Sequence, residues 1–418
     1  MTISLNLPDF PPPAAKRLAV QVTPAAERAA RRGHPWLFDG GIRQISDDGR
    51  PGDLAVLFDQ KRRFLAIGLY DPDSPIRVKL LQHGRPAPID AAWFQAKISA
   101  AVARRAAILT ADTSGCRLIH GENDGLPGLV LDKYGNTAVL KLYSAAWLPH
   151  LRQVVPAMLA AAAPERLVLR LSRLLLAQAD RLFGLSDGQL IYGRPLDGPA
   201  LFCENGLTFA VDVIQGHKTG FFLDQRDNRA AVGDLAEGRR TLDIFAYNGG
   251  FSLYAARGGA PLVVSLDASQ PALAAAQANF QLNRAIPQVA AARHETMCGD
   301  AFALLAALAA DGRQFDLVVI DPPALAKSQA DIERALAAYR QLTRLGLALL
   351  APQATLVTAS CSSRVTADQF FDLVHETARA AGRPLTELRR TGHPADHPIT
   401  FPEGAYLKCL FSRLVDSR

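Results

Sequence analysis

The stretch 241–267, TLDIFAYNGGFSLYAARGGAPLVVSLD, admits few folds: an apolar run, a glycine turn, a helix of small residues, and a second apolar run ending in an acid. That order reads as a βαβ unit of a parallel sheet. At Asn248-Gly249-Gly250 the chain can turn sharply and let a ligand approach bare backbone. Asp267 follows Asp243 by 24 positions, near the spacing at which an α/β nucleotide fold sets a carboxylate against a ribose. The turn lacks the full G-x-G-x-x-G pattern of a dinucleotide site, and no Walker-type G-x-x-x-x-G-K-[ST] occurs. A nucleoside cofactor without a pyrophosphate fits better, and S-adenosylmethionine is one: its ribose wants a carboxylate and its sulfonium needs no phosphate cradle. A purely structural βαβ unit with a glycine turn is the alternative.

From residue 201 onward strands alternate with helices, the signature of a parallel sheet covered by helices. The apolar runs predict strands at 241–245, 262–267, 294–298, 315–321 and 354–359. Helices are expected at 251–257, 271–283, 301–310, 332–350 and 367–381, and two further strands in a terminal hairpin over 386–415. The expected class is therefore α/β, with a Rossmann-like domain over 198–418.

Ahead of it, the proline tract at 8–13 cannot join a helix or an inner strand, so 1–15 is expected to be a flexible tail. Short alternating runs over 16–85 predict a small β-rich domain. Residues 1–85 hold 13 Lys and Arg against 9 Asp and Glu, a mildly basic balance that suits a polyanion. Arg28, Arg31, Arg32, His34 and Trp36 crowd the end of an expected helix and Lys61-Arg62-Arg63 a turn, where cations beside an aromatic could pair phosphates and stack a base; an ordinary solvated basic face explains them equally well. Residues 86–197 read as a central α+β domain, with a hairpin around Gly135-Asn136. Its His120, Glu122 and Asp124 fit a polar turn better than a site.

Several function classes are disfavoured. In a chain of 418 residues no apolar run reaches the roughly 18 to 20 residues of a membrane span, and residues 1–20 lack the pattern of a signal peptide, so a cytoplasmic protein is expected. The five cysteines are scattered, with no zinc spacing, so neither a disulfide framework nor a metal is indicated.

In an open parallel sheet ligands bind beyond the carboxyl ends of the strands. Three such ends carry chemistry here. The run 315–320 enters Asp321-Pro322-Pro323, where two prolines stiffen a loop and fix a carboxylate. The run 354–359 enters Ser360-Cys361-Ser362-Ser363-Arg364, placing a thiol in the cleft with Arg364 or a helix start to lower its pKa. Cys298-Gly299-Asp300 offers an acid that could accept from an adenine amine. A sulfonium, a rigid acid and a thiol converge on methylation at C5 of a pyrimidine, because C5 becomes nucleophilic only when a thiolate has added to C6.

TLDIFAYNGGFSLYA, LDASQPAL, VVIDPPALAKS and TASCSSR resemble the cofactor and catalytic motifs of the bacterial 23S ribosomal RNA cytosine-5 methyltransferases that carry a PUA domain. GHPWLFDGGI, GENDGLPGLVLDKYGN, GHKTGFFLDQRDNR and DHPITFPEGAYLK resemble the same family, in one order over nearly the whole chain. The resemblance implies an N-terminal PUA domain that binds RNA, a central α+β domain and a class I methyltransferase domain, with S-adenosylmethionine as cofactor and large-subunit ribosomal RNA as partner. A homodimer is compatible with it. By motif, Asp243, Asn248 and Gly249 would line the methionine side with Phe245 beside them, Asp267 would take the ribose and Asp300 the adenine. Cys361 would be the attacking thiol and Asp321 the acid that holds the base, with Pro322 at the cofactor's edge. Gln225 and Arg226 would border the cofactor or RNA entrance. Ala324-Leu325 stand where many RNA cytosine-5 methyltransferases carry a second cysteine that releases the product. Methylation of an exocyclic amine in RNA, and a non-catalytic RNA-binding or ribosome-assembly role, are the alternatives.

Overall fold

The computed structural model describes residues 4–326 and 328–415. The chain forms two compact units: one runs through Cys203 and takes in Val211–Leu223 and Ala395–Phe401; the other holds Glu204–Ala210, Asp224–Pro394 and the chain from Pro402 on.

The first unit contains two sheets. Six strands lie in the order Trp36–Phe38, Ile76–His83, Phe64–Tyr70, Leu54–Phe58, Leu18–Val22, Ile42–Ile45. Their alternating apolar positions close a small core of Val20, Val22, Leu57, Leu65, Val78 and Leu80. Alongside is the helix Pro24–Arg31, started by Thr23, whose hydroxyl accepts from the Ala26 amide. Five strands in the order Leu190–Gly193, Arg166–Leu171, Thr137–Leu142, Leu129–Tyr134, Gly115–His120 form the second sheet, with helices Ala91–Ala103 and Leu151–Ala162 against it. The expected hairpin is present, Tyr134 pairing Thr137 across Gly135-Asn136. Asp124 is buried and takes both guanidinium nitrogens of Arg105 at 2.9 and 2.8 Å, so the His120–Asp124 turn is held by structural ion pairs, in keeping with the polar-turn reading.

The basic face at the front is also partly engaged. Arg31 pairs with Glu27 and Asp59, Arg63 shares Asp59, and the Trp36 indole donates to Glu122 at 3.0 Å.

The segment from residue 4 differs from the expected tail, whose first three residues lie outside the described ones. Leu7 is buried, the Asn6 amide donates to the Ile191 carbonyl at 2.9 Å, and Arg152 binds the carbonyls of Leu7 and Pro8 and the Asp9 carboxylate. Proline forbids a helix but not an extended strap, and Leu5, Leu7 and Phe10 supply the apolar contacts that hold one down.

The second unit is built on seven strands: β1 (Thr241–Ile244), β2 (Leu262–Asp267), β3 (Arg293–Cys298), β4 (Phe315–Ile320), β5 (Leu350–Ser360), β6 (Leu385–Thr391) and β7 (Lys408–Leu414). Their order is 3-2-1-4-5-7-6, parallel from β3 to β5, with β7 antiparallel to both neighbours. β1 is buried at all four positions, as expected of a central strand covered on both faces by helices. Every predicted strand of this sheet is present. β5 starts earlier than expected, at Leu350, and a short helix, Pro287–Ala291, lies before β3. Because the chain leaves β1 toward β2 on one side and reaches β4 on the other, the strand order reverses between β1 and β4, and a ligand crevice belongs beyond their carboxyl ends.

Candidate active site

The loop after β1 is held in an unusual backbone state. Phe245, Tyr247 and Gly249 have φ of 66°, 51° and 79°. For the two side-chain-bearing residues this region costs about 1–2 kcal/mol each, and such strain collects where a loop must present its backbone to a ligand. Gly249 is required twice over: its φ is left-handed, and a Cβ there would stand 2.8 Å from the Ala276 Cβ. Asn248 is buried, its carbonyl accepting from Asn279 Nδ2 at 3.0 Å.

Asp267, at the end of β2, ties this loop down. Its Oδ2 accepts from the Tyr247 amide at 2.8 Å and its Oδ1 from the Ser269 amide at 2.9 Å. Each oxygen keeps a lone pair, so the carboxylate can still receive ribose hydroxyls.

Asp243 lies inside β1 and is fully buried. Its Oδ2 accepts from the Ser252 amide at 3.0 Å and hydroxyl at 2.6 Å, anchoring the start of helix Gly250–Arg257, while its Oδ1 is buried without a hydrogen-bond partner. An acceptor left open beneath a glycine turn, with a carboxylate at the next strand's end, fits a cofactor that offers an amine and a ribose. Burial pushes the Asp243 carboxyl up to about 7 against the pull of the two Ser252 bonds. The folded protein thus holds this proton more tightly than the unfolded chain, and the stability it brings is lost as pH rises through about 7. Without cofactor, Asp243→Asn is therefore expected to gain stability over wild type on going from about pH 5 to pH 8, by roughly a few kcal/mol. Urea unfolding at both pH values measures this; an unchanging difference would contradict the raised pKa.

Asp300 follows β3, is exposed, and caps helix Ala301–Ala310 by accepting from the Ala303 amide at 3.0 Å.

The ends of β4 and β5 meet. Asp321 Oδ2 accepts from Gln225 Nε2 at 2.9 Å, Gln225 Oε1 accepts from Asn228 Nδ2 at 2.5 Å, and Asn228 Oδ1 accepts from the Thr391 hydroxyl at 2.5 Å. The chain of bonds fixes the carboxylate from behind, so Gln225 acts through Asp321. Arg226 is buried beside it on the same helix. Pro322 is buried and its carbonyl stands 3.9 Å from the half-buried Cys361 Sγ.

Three residues without an assigned role in the sequence reading hold these loops together. The Ser362 hydroxyl oxygen accepts from the amides of Leu325 and Ala326 at 3.0 and 3.2 Å, stitching the D-P-P loop to the thiol loop. The Tyr339 hydroxyl bonds both Ser360 and Ser362 Oγ at 2.9 Å. Lys408 donates to the carbonyls of Ser362 at 2.5 Å, Val365 at 2.6 Å and Tyr406 at 3.2 Å. Arg364, expected beside the thiol, is exposed, and Lys408 is a cation that feels the charge of Cys361. At the helix start also named, Ala367–Ala380, the amides of Thr366 and Gln369 are taken up by the Thr366–Gln369 capping box. A lysine opening the apolar strand KCLFSRL was the available signal.

Among the described residues no group of His, Cys, Asp and Glu could hold a metal ion, and no helix is long and apolar enough to cross a membrane.

A seven-stranded sheet of order 3-2-1-4-5-7-6, with a strained glycine loop after β1 and an acid closing β2, defines a class I methyltransferase fold. The chain belongs to the S-adenosylmethionine-dependent methyltransferases, whose family model matches residues 147–413, and a PUA-like domain model matches residues 20–83. It is 48% identical over 409 residues to a Deinococcus radiodurans protein named ribosomal RNA large subunit methyltransferase, covering 97% of this chain and 99% of the relative. A Shewanella amazonensis protein named ribosomal RNA large subunit methyltransferase I is 35% identical, covering 95% and 99%. Among solved structures, a Streptococcus mutans chain classed with SAM-dependent methyltransferases superposes with a TM-score of 0.80 at 21% identity, covering 94% of this chain and 99% of that one. Another methyltransferase chain, complexed with SAH, gives 0.81 at 21% identity.

Proposed function

We propose that this methyltransferase modifies C5 of a cytosine in large-subunit ribosomal RNA, in the cytoplasm, through a covalent adduct of Cys361 with C6 of the ring. The observation that carries the reading is the thiol of Cys361 held 3.9 Å from the carbonyl of Pro322, beside the loop of the buttressed Asp321. Methylation of an exocyclic amine needs an acceptor for the amine but no thiol. The names of the long-matching relatives support the RNA class.

Bound S-adenosylmethionine supplies an electrophilic methyl group. Asp243, Phe245, Asn248 and Gly249 would hold its methionine side, Asp267 its ribose and Asp300 its adenine, with Asp321 and Pro322 at the boundary between cofactor and base. Cys361, as thiolate, adds to C6, and the C5–C6 π electrons become available at C5, which can then accept the methyl group. Asp321 holds the polar edge of the cytosine, where charge shifts as the adduct forms. Loss of the C5 proton restores the double bond and expels the thiolate.

Nucleoside mass spectrometry of large-subunit ribosomal RNA treated with the protein and S-adenosylmethionine tests this. The expected product is 5-methylcytidine. Methylated guanosine or adenosine in its place would establish the amine reading, and no methylation with no cofactor binding would establish a non-catalytic RNA-binding role.

A further inference from the structure

Lys408 is one of two buried lysines among the described residues, at 4% exposure. All three of its acceptors are neutral carbonyls, and among the described residues no carboxylate pairs with it. A buried ammonium is costly unless an anion balances it. Lys408 pairs across the sheet with Ser360, the residue before Cys361. Two of its carbonyl partners, Ser362 and Val365, belong to the loop that Cys361 opens.

We propose that Lys408 is the counter-ion of the Cys361 thiolate and a positioning residue for it: the ammonium fixes the loop through two carbonyls and balances the charge the thiol acquires when it ionises. The proposal rests on the thiol chemistry above and gives a role to the EGAYLK segment, which that chemistry left unused. The thiol loses its proton to solvent, and the resulting anion completes the pairing that burial otherwise denies the lysine. Burial pulls the Lys408 pKa down to about 8, and the charge of Cys361 is the influence that opposes this. By linkage the same attraction favours the thiolate. Other titratable groups beside Lys408 and the loop include Asp321, whose charge opposes the thiolate, Tyr339, held by Ser360 and Ser362, Tyr406, whose carbonyl Lys408 binds, and the buried Cys409; Arg364 is exposed.

The test is the pH profile of iodoacetamide alkylation, read at the Cys361 peptide by mass spectrometry in the full-length protein, with the exposed Cys298 as internal reference. In wild type, the Cys361 midpoint is expected below the ordinary thiol value of about 8.5. In Lys408→Met it should rise by about one pH unit, a roughly tenfold loss of reactivity near neutral pH, with Cys298 unchanged. A wild-type midpoint at or above about 8.5, or an identical midpoint in Lys408→Met, would overturn the proposal. Should Lys408→Met fail to fold, the wild-type midpoint decides alone. The readout involves no methylation, so failure of the cytosine chemistry would show separately, as methyl transfer by a protein lacking Cys361.

Discussion

Cys361→Ala is expected to lose methyl transfer by at least about a thousandfold while binding S-adenosylmethionine with wild-type affinity. The separation follows from the geometry. The residues assigned to the cofactor's methionine, ribose and adenine lie in β1, on the loop after it and at the ends of β2 and β3, and their bonds to Ser252, Tyr247, Ser269, Ala303 and Asn279 do not involve Cys361. The thiol sits just past a different strand end, that of β5. C5 of cytosine is a poor nucleophile until C6 is substituted, so no other feature of the site replaces the lost sulfur. Isothermal titration with the cofactor and a methyl-incorporation assay on the same preparation measure both halves. Near-normal incorporation would remove the covalent route from consideration.

Arg229→Met is expected to cost the second unit about 3–5 kcal/mol. Arg229 and Glu204 are both buried and form two parallel bonds of 2.8 and 2.7 Å, and the Tyr254 hydroxyl adds a third to Glu204 at 3.1 Å. Removing the guanidinium leaves a carboxylate in a dry site, which is where the large penalty arises. Helix Arg226–Asp234 then loses the anchor that sets Gln225 behind Asp321, so methyl transfer should fall as well. The double variant Glu204→Leu with Arg229→Met removes both charges and should recover most of the loss. Chemical unfolding of the three proteins gives the comparison, and a single-variant cost below about 1 kcal/mol would mean that the pair is not what anchors the helix.

The strand ends were legible because their signal is local. An apolar run ending in an acid, a D-P-P loop or a cysteine needs no partner to be recognised, and each such run became a strand of the sheet, with Asp267, Asp321 and Cys361 at or just past their ends. What holds those residues was not legible. Ser362 reaches amides 37 and 36 residues away, Lys408 reaches a carbonyl 46 residues away, and Gln225 meets an acid 96 residues away. Such pairings depend on the strand order, above all on the antiparallel return of β7 beside β5, and no spacing along the chain encodes it. Asp243 shows the same divide: its place in the motif was visible, whereas its full burial and its engagement with Ser252 follow from β1 lying between β2 and β4. The N-terminal segment was misread for a related reason. Proline marks where regular structure breaks, but the contacts that bind the strap come from Leu5 and Leu7, ahead of the first proline, and Phe10 between two of them.

The covalent step is tested most directly with RNA bearing 5-fluorocytosine, because fluorine at C5 cannot leave as a proton does and the adduct is trapped after methyl transfer. Incubated with wild-type protein and S-adenosylmethionine, this RNA should give a complex that survives denaturing electrophoresis and maps by mass spectrometry to Cys361, and Cys361→Ala should give none. A protein that methylates ordinary RNA yet forms no such complex, or forms it through another residue, would contradict the account.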